Sequence, residues 1–481
     1  MNSNPKFEIN EVLYQWCVRA FSMLRRRLGI NIKVHDANGH IKAGQIFLFN
    51  HFTRFETIIP QYFIYQATRA YCRCVASHKF FLGNEHFARL LWSCGAVPND
   101  HPGLLAFLAA EILRGRKVIF FPEGQMVKDR YVAPHKKDDI LRAAPRHRQG
   151  AAALACVLEI FKKRILSVYE AGETERLDRW VKALGLTDAA ALIAAARQPT
   201  LIIPANITFN PIHTSDNILR KAAELFGREI SEETKAELLI ESNLVFKRTD
   251  MDIRFGKPIH PDITWNAVDK LLLKEVFEHI QSLEELFALK NTASRWVERL
   301  LAMRMRRKTQ LLRDLCMKEM YARVTVNLNH IASRLILLLA QSGVKEIERD
   351  RLHRLLYLAF KNIQKDPNIS LHRSLRRPDL YEGIHNGKSG LVAQFLDAAG
   401  SSKLVESNTD HYQFLPALRR NTNGRDPRLE NIVAVYANEI AALGAACQAI
   451  DEAWRERRGE VADQAGRLHD SALQLGSRHR S

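Results

Sequence analysis

Between about residue 40 and residue 262, short apolar runs alternate with longer segments whose apolar residues recur every three or four positions. Short apolar runs are typical of buried strands, and the longer period is typical of helices packed on one side. The predicted strands are 46–49, 71–76, 118–121, 201–207 and 251–255, and the predicted helices are 54–68, 85–93, 103–114 and 149–163. This alternation predicts an α/β domain with a mostly buried central sheet flanked by helices.

The strand pattern nearly vanishes beyond residue 267, where helical periodicity dominates as far as residue 455. We therefore predict four segments along the chain. They are an amphipathic helical segment at 1–39, an α/β domain at 40–265 with a helical insertion at about 164–199, a mostly α-helical C-terminal domain at 266–455, and a flexible tail at 456–481.

Lysine and arginine outnumber aspartate and glutamate by 71 to 53, which gives a formal charge of +18. This balance favours anionic partners such as a lipid surface, phosphorylated substrates, an acidic carrier protein or nucleic acid. The seven cysteines are odd in number and scattered, which is typical of reduced thiols in the cytosol. Neither a CxxC pair nor an HExxH motif occurs, so we predict no metal site.

No apolar run reaches the roughly 18 residues that a membrane-spanning helix needs, so any membrane contact should be peripheral. Residues 11–28 place Trp16, Phe21 and Leu24 on one helical stripe, with arginines largely on the other side. This pattern fits a helix that lies in the membrane interface, and it equally fits a surface helix packed on its own domain.

His51 directly follows the predicted strand 46–49, and Glu56 lies five residues further on. On one helix the two side chains would point about 140° apart, so they can meet only if His51 lies in the strand-to-helix turn. In that arrangement Glu56 accepts a hydrogen bond from one imidazole nitrogen and leaves the other as a base for a hydroxyl proton.

A second turn, Phe121-Pro122-Glu123-Gly124, follows the predicted strand 118–121. Glycine allows a close backbone approach, and successive backbone N–H groups in such a turn suit a phosphate or an oxyanion. By itself this pattern also fits an ordinary exit from a strand.

Taken together and in order, these motifs resemble those of the glycerolipid acyltransferase family. The family's first motif is a histidine, four residues and an acid, matched by His51 and by Glu56 in place of the usual aspartate. Its Phe-Pro-Glu-Gly turn is matched at 121–124. Segments 148–152, 202–205 and 253–259 are similar to its later motifs, so the resemblance covers about residues 40–262.

The resemblance implies an acyltransferase domain that moves a fatty-acyl group from acyl-CoA or acyl-carrier protein to a glycerol-3-phosphate or lysophosphatidate hydroxyl in phospholipid synthesis. His51 would be the base and Glu56 its partner, and Pro122, Glu123 and Gly124 would bind the acceptor. The acyl donor is a co-substrate, and no cofactor is expected. We expect a cytoplasmic location on the inner face of a membrane and no specific nucleic-acid partner.

Two departures from the family pattern concern acceptor binding. The family's second motif carries an arginine after its glycine, but residues 95–101 contain none, and the turn at 121–124 continues with Gln125-Met126. Lys128, Arg130 and His101 are the residues that could replace the missing phosphate ligands. The alternative hypothesis is a catalytically degenerate acyltransferase-like protein whose basic surface acts as a membrane- or nucleic-acid-binding scaffold.

Overall fold

The computed structural model describes residues 8–28, 31–50, 58–82, 85–123, 149–210, 250–269, 275–276, 280–292, 295–376, 383–384, 390–401, 403–416, 418, 432–441 and 443–455. The described residues fall into two compact units. One holds the central sheet and ends at Arg323, and the other begins at Val324.

The first unit is built around a seven-stranded sheet in the order β1-β7-β6-β2-β5-β3-β4. Its strands are β1 Asn31–His35, β2 Ile46–Phe49, β3 Cys72–Ala76, β4 Ala96–Pro98, β5 Lys117–Phe120, β6 Ile202–Asn210 and β7 Asp250–Phe255. Its helices are α1 Glu11–Leu28, α2 His40–Ala43, α3 Ile58–Thr68, α4 Glu85–Ser93, α5 Leu104–Leu113, α6 Gly150–Glu170, α7 Thr174–Leu184, α8 Ala189–Arg197, α9 Leu283–Thr292 and α10 Trp296–Tyr321.

Strands β6, β2, β5, β3 and β4 pair in parallel, so their carboxyl ends share one edge of the sheet. All four residues of β2 are buried, as expected for a parallel strand covered on both faces. The connections β2-α3-β3 and β3-α4-β4 run one way along the sheet, whereas β4-α5-β5 and β5-α6-β6 run the other way. Because such crossovers are right-handed, α3 and α4 cover one face while α5 and α6 cover the other.

The predicted fold class is confirmed, since a central α/β sheet domain is followed by a mostly helical region. Residues 164–199 are helical, as the second half of α6 together with α7 and α8. Strands β1 and β4 add to the strands that the sequence pattern predicts. The first unit also includes α9 and α10, which lie beyond residue 265, and the predicted domain boundary there stays a prediction.

The second unit is mainly helical, with short strands in one two-stranded and one three-stranded sheet. Its helices are α11 Leu328–Gln341, α12 Arg349–Gln364, α13 Gly390–Ser401 and α14 Ile432–Ile440. Its strands are β8 Thr325–Val326, β9 Glu346–Glu348, β10 Ser370–Leu371, β11 Val405–Ser407 and β12 His411–Phe414. Inside it, the fully buried His330 on α11 contacts Glu439 on α14 at 2.9 Å, which joins the two helices.

Candidate active site

The two turns that the sequence marks for chemistry leave neighbouring strands at the same edge of the sheet. β2 and β5 pair in parallel with Leu48 opposite Phe120, so their ends are level. The rings of Phe49 and Phe121 lie 6.4 Å apart, centroid to centroid, just at these ends. Helix α3, which follows β2 in sequence, covers one face of the sheet, and α6, which follows β5, covers the other, which makes this the topological switch point. In open α/β sheets ligands bind in the crevice at such a point.

Asn50 fixes the exit of β2 against the neighbouring strand β6. Its side chain is buried, and its amide nitrogen donates to the Ile207 carbonyl oxygen at 2.9 Å. Its side-chain oxygen accepts from the Ile207 backbone N–H at 2.7 Å. This two-way clamp replaces strand pairing where β2 ends, so the chain leaves toward residue 51 from a fixed position.

The turn after β5 is also held inside the protein. Pro122 and Glu123 are both buried, and Glu123 keeps only 4% of its surface exposed. A carboxylate this deeply buried is costly unless it has partners in the protein or meets a ligand. Its position directly after an interior strand therefore places a carboxyl group at the switch point.

Helix α6 begins close to this turn. A side-chain carbon added at Gly150 would lie 3.6 Å from the Phe120 ring at the end of β5. The first turn of a 21-residue helix thus faces the same edge of the sheet. Helix N-termini carry unsatisfied N–H groups and a partial positive charge, which favour anions nearby.

His101 lies at the same edge but further along it, in the turn after β4. Two strand spacings separate β4 from β5, which is about 10 Å. Its ring packs against Trp92 at 5.5 Å and Phe107 at 5.2 Å between centroids. Burial, together with the nearby guanidinium of Arg73, lowers the pKa of His101. His101 is therefore neutral at pH 7 and can offer an acceptor a hydrogen bond but no positive charge.

The other predicted site residues, His51, Glu56, Gly124, Lys128 and Arg130, lie outside the described residues. The structure brings together the strand ends that lead into these segments. The hydrogen bond between His51 and Glu56 and the roles of the acceptor-binding residues stay predictions.

Comparison with known protein families matches residues 31–147 to a family described as acyltransferase. The match starts at β1 and ends just before α6, so it includes both turns at the switch point. This chain contains an acyltransferase domain. No curated protein matches the chain at a significant level.

The acyltransferase domain contains a buried ion network that the sequence pattern did not reveal. Glu111 on α5 is fully buried, and its carboxylate pairs with Arg73 on β3 at 2.5 Å and with Arg114 at 2.7 Å. Arg116 completes the set. Burial alone would raise the pKa of Glu111, but the guanidiniums hold it below its ordinary value. This network fixes α5 to the sheet, and its partners are too far apart in sequence to be recognised beforehand.

One group of side chains in the first unit has the composition of a metal site. Ligand atoms of Glu159, His260 and Asp262 all lie within 4.8 Å of one another. However, the Lys163 ammonium already lies 2.6 Å from Asp262 and 3.4 Å from Glu159. The Nδ1 atom of His260 also accepts from the Asp262 backbone N–H. The group is therefore best explained as an ion-paired cluster that joins α6 to the turn after β7.

Within the part of the chain that the structure describes, no helix combines the length and the apolar character needed to cross a bilayer.

Proposed function

We propose that this protein transfers a fatty-acyl group from acyl-CoA or acyl-carrier protein to a hydroxyl of glycerol-3-phosphate or a lysophosphatidate-type acceptor, in phospholipid synthesis. The observation that carries the proposal is the acyltransferase domain whose two motif turns leave adjacent parallel strands at the switch point of the sheet. The donor and acceptor classes come from the resemblance of those motifs to glycerolipid acyltransferases.

In the proposed reaction, His51 removes the proton of the acceptor hydroxyl while the hydroxyl oxygen attacks the thioester carbonyl carbon. Glu56 holds the imidazole in the required orientation and stabilises its protonated form. The tetrahedral intermediate then collapses, the carbon–sulfur bond breaks, and the leaving thiolate takes up the proton from His51. The Asn50 clamp supports this assignment, because it fixes the chain one residue before the proposed base.

The acceptor would bind against the Pro122-Glu123-Gly124 turn. The buried carboxyl group of Glu123 is suited to accept a hydrogen bond from a glycerol hydroxyl. We assign the acceptor phosphate to Lys128 and Arg130, with the N-terminus of α6 adding positive potential beside the turn. His101 would contribute a neutral hydrogen bond at the far end of this edge.

A peripheral position on an anionic membrane is part of the proposal, and the surface of α1 supports it. The ring centroids of Tyr14 and Tyr65 lie 5.5 Å apart, and those of Phe21 and Tyr62 lie 5.0 Å apart. Helix α1 therefore packs antiparallel on α3. Its last turn therefore lies toward the carboxyl edge of the sheet, where α3 begins.

The side of α1 that faces away from α3 exposes a stripe of large apolar residues. Val12, Trp16 and Met23 are 68%, 59% and 65% exposed. The exposed arginines Arg19 and Arg26 flank this stripe. Apolar residues beside basic ones suit the interface of an anionic bilayer. One side of α1 thus packs on its own domain while another remains available to lipid.

The proposal is tested by incubating the purified full chain with palmitoyl-CoA or palmitoyl-acyl-carrier protein and a panel of glycerol acceptors. Thiol release and product mass are measured. We expect release that depends on an acceptor with a free glycerol hydroxyl, and an esterified product. If no acceptor gives thiol release while the protein binds nucleic acid in a salt-dependent way, the scaffold alternative replaces the enzyme.

A separate flotation assay tests the membrane component with vesicles of phosphatidylglycerol and phosphatidylcholine. We expect the wild type to float with the anionic vesicles and Trp16→Ser to float less. If neither protein floats, the membrane is removed from the proposal. If both float equally, the exposed stripe of α1 is not the membrane contact. Neither outcome affects the acyl-transfer assay.

A further inference from the structure

Two cysteines from separate elements of the first unit face each other. The Sγ atoms of Cys17, on α1, and Cys94, just after α4, are 3.3 Å apart. Both side chains are partly exposed, whereas Cys72, Cys74, Cys156, Cys316 and Cys447 are buried. A disulfide bond is about 2.05 Å long, so the two sulfurs need to approach by only about 1.3 Å to form one.

The backbone holds both sulfurs in place. The Asn10 N–H, at the start of α1, donates to the Ser93 carbonyl oxygen at 3.1 Å. The Gly95 carbonyl oxygen accepts from the Cys74 N–H at 2.9 Å, which ties the residue after Cys94 to β3. Gly95 has φ +91°, and a side-chain carbon there would lie 2.2 Å from the Cys72 carbonyl oxygen. The turn that carries Cys94 is therefore closely constrained, and its distance to Cys17 is set by the fold.

The packing of α1 keeps Cys17 facing Cys94. Tyr14, one turn earlier on α1, is buried and contacts Tyr71 at 5.2 Å between ring centroids. The Gln15 amide donates to the Tyr71 hydroxyl oxygen at 3.1 Å. These contacts fix the rotation of α1 about its axis, so Cys17 meets Cys94 whenever α1 is docked.

We propose that Cys17 and Cys94 form a reversible disulfide when the protein meets a peroxide. In the first step the Cys17 sulfur attacks the peroxide O–O bond, which gives a sulfenic acid and releases water. In the second step the Cys94 sulfur attacks the Cys17 sulfenic sulfur, the S–O bond breaks, and a second water leaves with the Cys94 proton. One molecule of hydrogen peroxide is reduced to two of water as two thiols are oxidised to one disulfide.

The surroundings of Cys94 support this order of the two steps. Burial, with the adjacent Cys17 thiol, raises the pKa of Cys94 to about 12. A thiol with a raised pKa is a poor nucleophile toward peroxide, so we assign the first step to Cys17 and leave Cys94 to attack the sulfenic sulfur that lies beside it. Disulfides of reducing compartments are usually transient and redox-sensing, which fits a pair of this kind.

The disulfide would tether α1 covalently to the α/β core. In the reduced protein only noncovalent contacts hold α1, so the helix can open locally. Opening and unwinding of the last turn, which carries Arg25, Arg26 and Arg27, lets trypsin reach the backbone there. After a cut at these residues, the N-terminal fragment separates from the reduced protein but stays attached to the oxidised one. The proposal does not depend on acyl transfer.

The test uses the purified full chain, reduced and then treated with a small excess of hydrogen peroxide. Remaining thiols are alkylated and the denatured protein is digested with trypsin without reductant. We expect peptide 7–19 linked to peptide 90–114, two hydrogens lighter than the separate pair, with loss of alkylation at both cysteines and reversal by dithiothreitol. On native digestion, the oxidised protein should retain residues 1–27 on a non-reducing gel and lose them on a reducing gel.

Cys17→Ser and Cys94→Ser should each abolish the linked peptide, whereas Cys447→Ser, in the second unit, should leave it unchanged. The wild-type map alone is decisive if either variant fails to fold. Linear peptides with Cys17 or Cys94 alkylated or carrying added oxygen, or a link from Cys17 to another cysteine, would overturn the proposal.

Discussion

The two edges of the central sheet both contain buried polar groups, but they use them differently. At the amino edge, Lys162 donates to the Gln45 side-chain oxygen at 2.7 Å and to the Gln198 carbonyl oxygen at 2.9 Å. Lys117 donates to the Gly44 carbonyl oxygen at 2.5 Å, and Glu111 is surrounded by arginines. Every one of these polar groups has a partner within the protein, so this edge holds the fold together.

At the carboxyl edge the buried polar groups lead into turns. Asn50 secures β2 to β6 and then releases the chain toward residue 51, and Glu123 lies in the turn after β5. Buried charge alone therefore does not indicate a functional site. The direction of parallel strands decides which edge can gather loops around a ligand.

We expect the largest effect on the rate of acyl transfer, from a substitution at the carboxyl edge. His51→Ala should lower the rate of acyl transfer by about 10³-fold, because general base catalysis typically contributes 10²–10⁴-fold. The control is His86→Ala, on the exposed surface of α4, which should leave the rate unchanged. Thiol release with the preferred acceptor measures both. Equal rates in wild type and His51→Ala would refute His51 as the general base.

A substitution at the amino edge should instead lower the free energy of unfolding. Glu111→Ala leaves the buried guanidinium of Arg73 without its carboxylate, and breaking a buried ion pair costs about 3–5 kcal/mol. Glu85→Ala is the matched control, because the ion pair of Glu85 with Arg89 is exposed and should be worth about 0.5 kcal/mol. Urea unfolding compares the two variants. A loss below about 1 kcal/mol for Glu111→Ala would show that the network does not support the fold.

The pH dependence of stability tests Lys162, a buried charge at the amino edge. Burial lowers the pKa of Lys162 to about 8, below the ordinary value of 10.5. Between these values the unfolded chain binds more protons than the folded one, so stability rises with pH across this window. Below pH 8 the folded protein carries the full cost of burying the charged ammonium group.

Relative to Lys162→Met, the wild type should therefore gain up to about 3 kcal/mol in unfolding free energy from pH 8 to pH 10.5. The buried thiols of Cys72 and Cys74, whose pKa values are raised to about 12, also make stability depend on pH. Both proteins share them, so their contribution cancels when the two unfolding free energies are subtracted. For the control Lys182→Met, at an exposed position, the difference in unfolding free energy from wild type should not change with pH. If the difference for Lys162→Met is also independent of pH, the ammonium group of Lys162 is not desolvated in the wild type.

We expect the smallest effect from a change in the Asn50 clamp, the pair of hydrogen bonds between Asn50 and Ile207 at the carboxyl edge. Asn50→Asp keeps the shape of the side chain but replaces the amide donor facing the Ile207 carbonyl with an oxygen. Losing this bond should cost about 1–3 kcal/mol in stability, and displacement of residue 51 should lower the rate of acyl transfer. Asn50→Asp with unchanged rate but lower stability would restrict the clamp to a folding role.

The sequence pattern predicted the interior strands well because burial on both faces leaves a continuous apolar run, as in β2. It did not predict β1, whose Lys33 and His35 are polar. These residues find their partners Asp250 and Asp252 only once β7 lies beside them. The motif turns were visible because each directly follows such a run. The Asn50 clamp was not, since Ile207 lies 157 residues away and no local pattern encodes that contact.

A crystal structure of the full chain with a non-reactive thioether analogue of palmitoyl-CoA and a glycerol acceptor would show where the two substrates bind. We predict that the acceptor hydroxyl lies about 3–3.5 Å from the carbon that replaces the thioester carbonyl, between the side chain of His51 and the turn at Glu123. Binding of both ligands away from this pair of strand ends, for example beside Lys162 at the amino edge, would show that the carboxyl edge is not the active site.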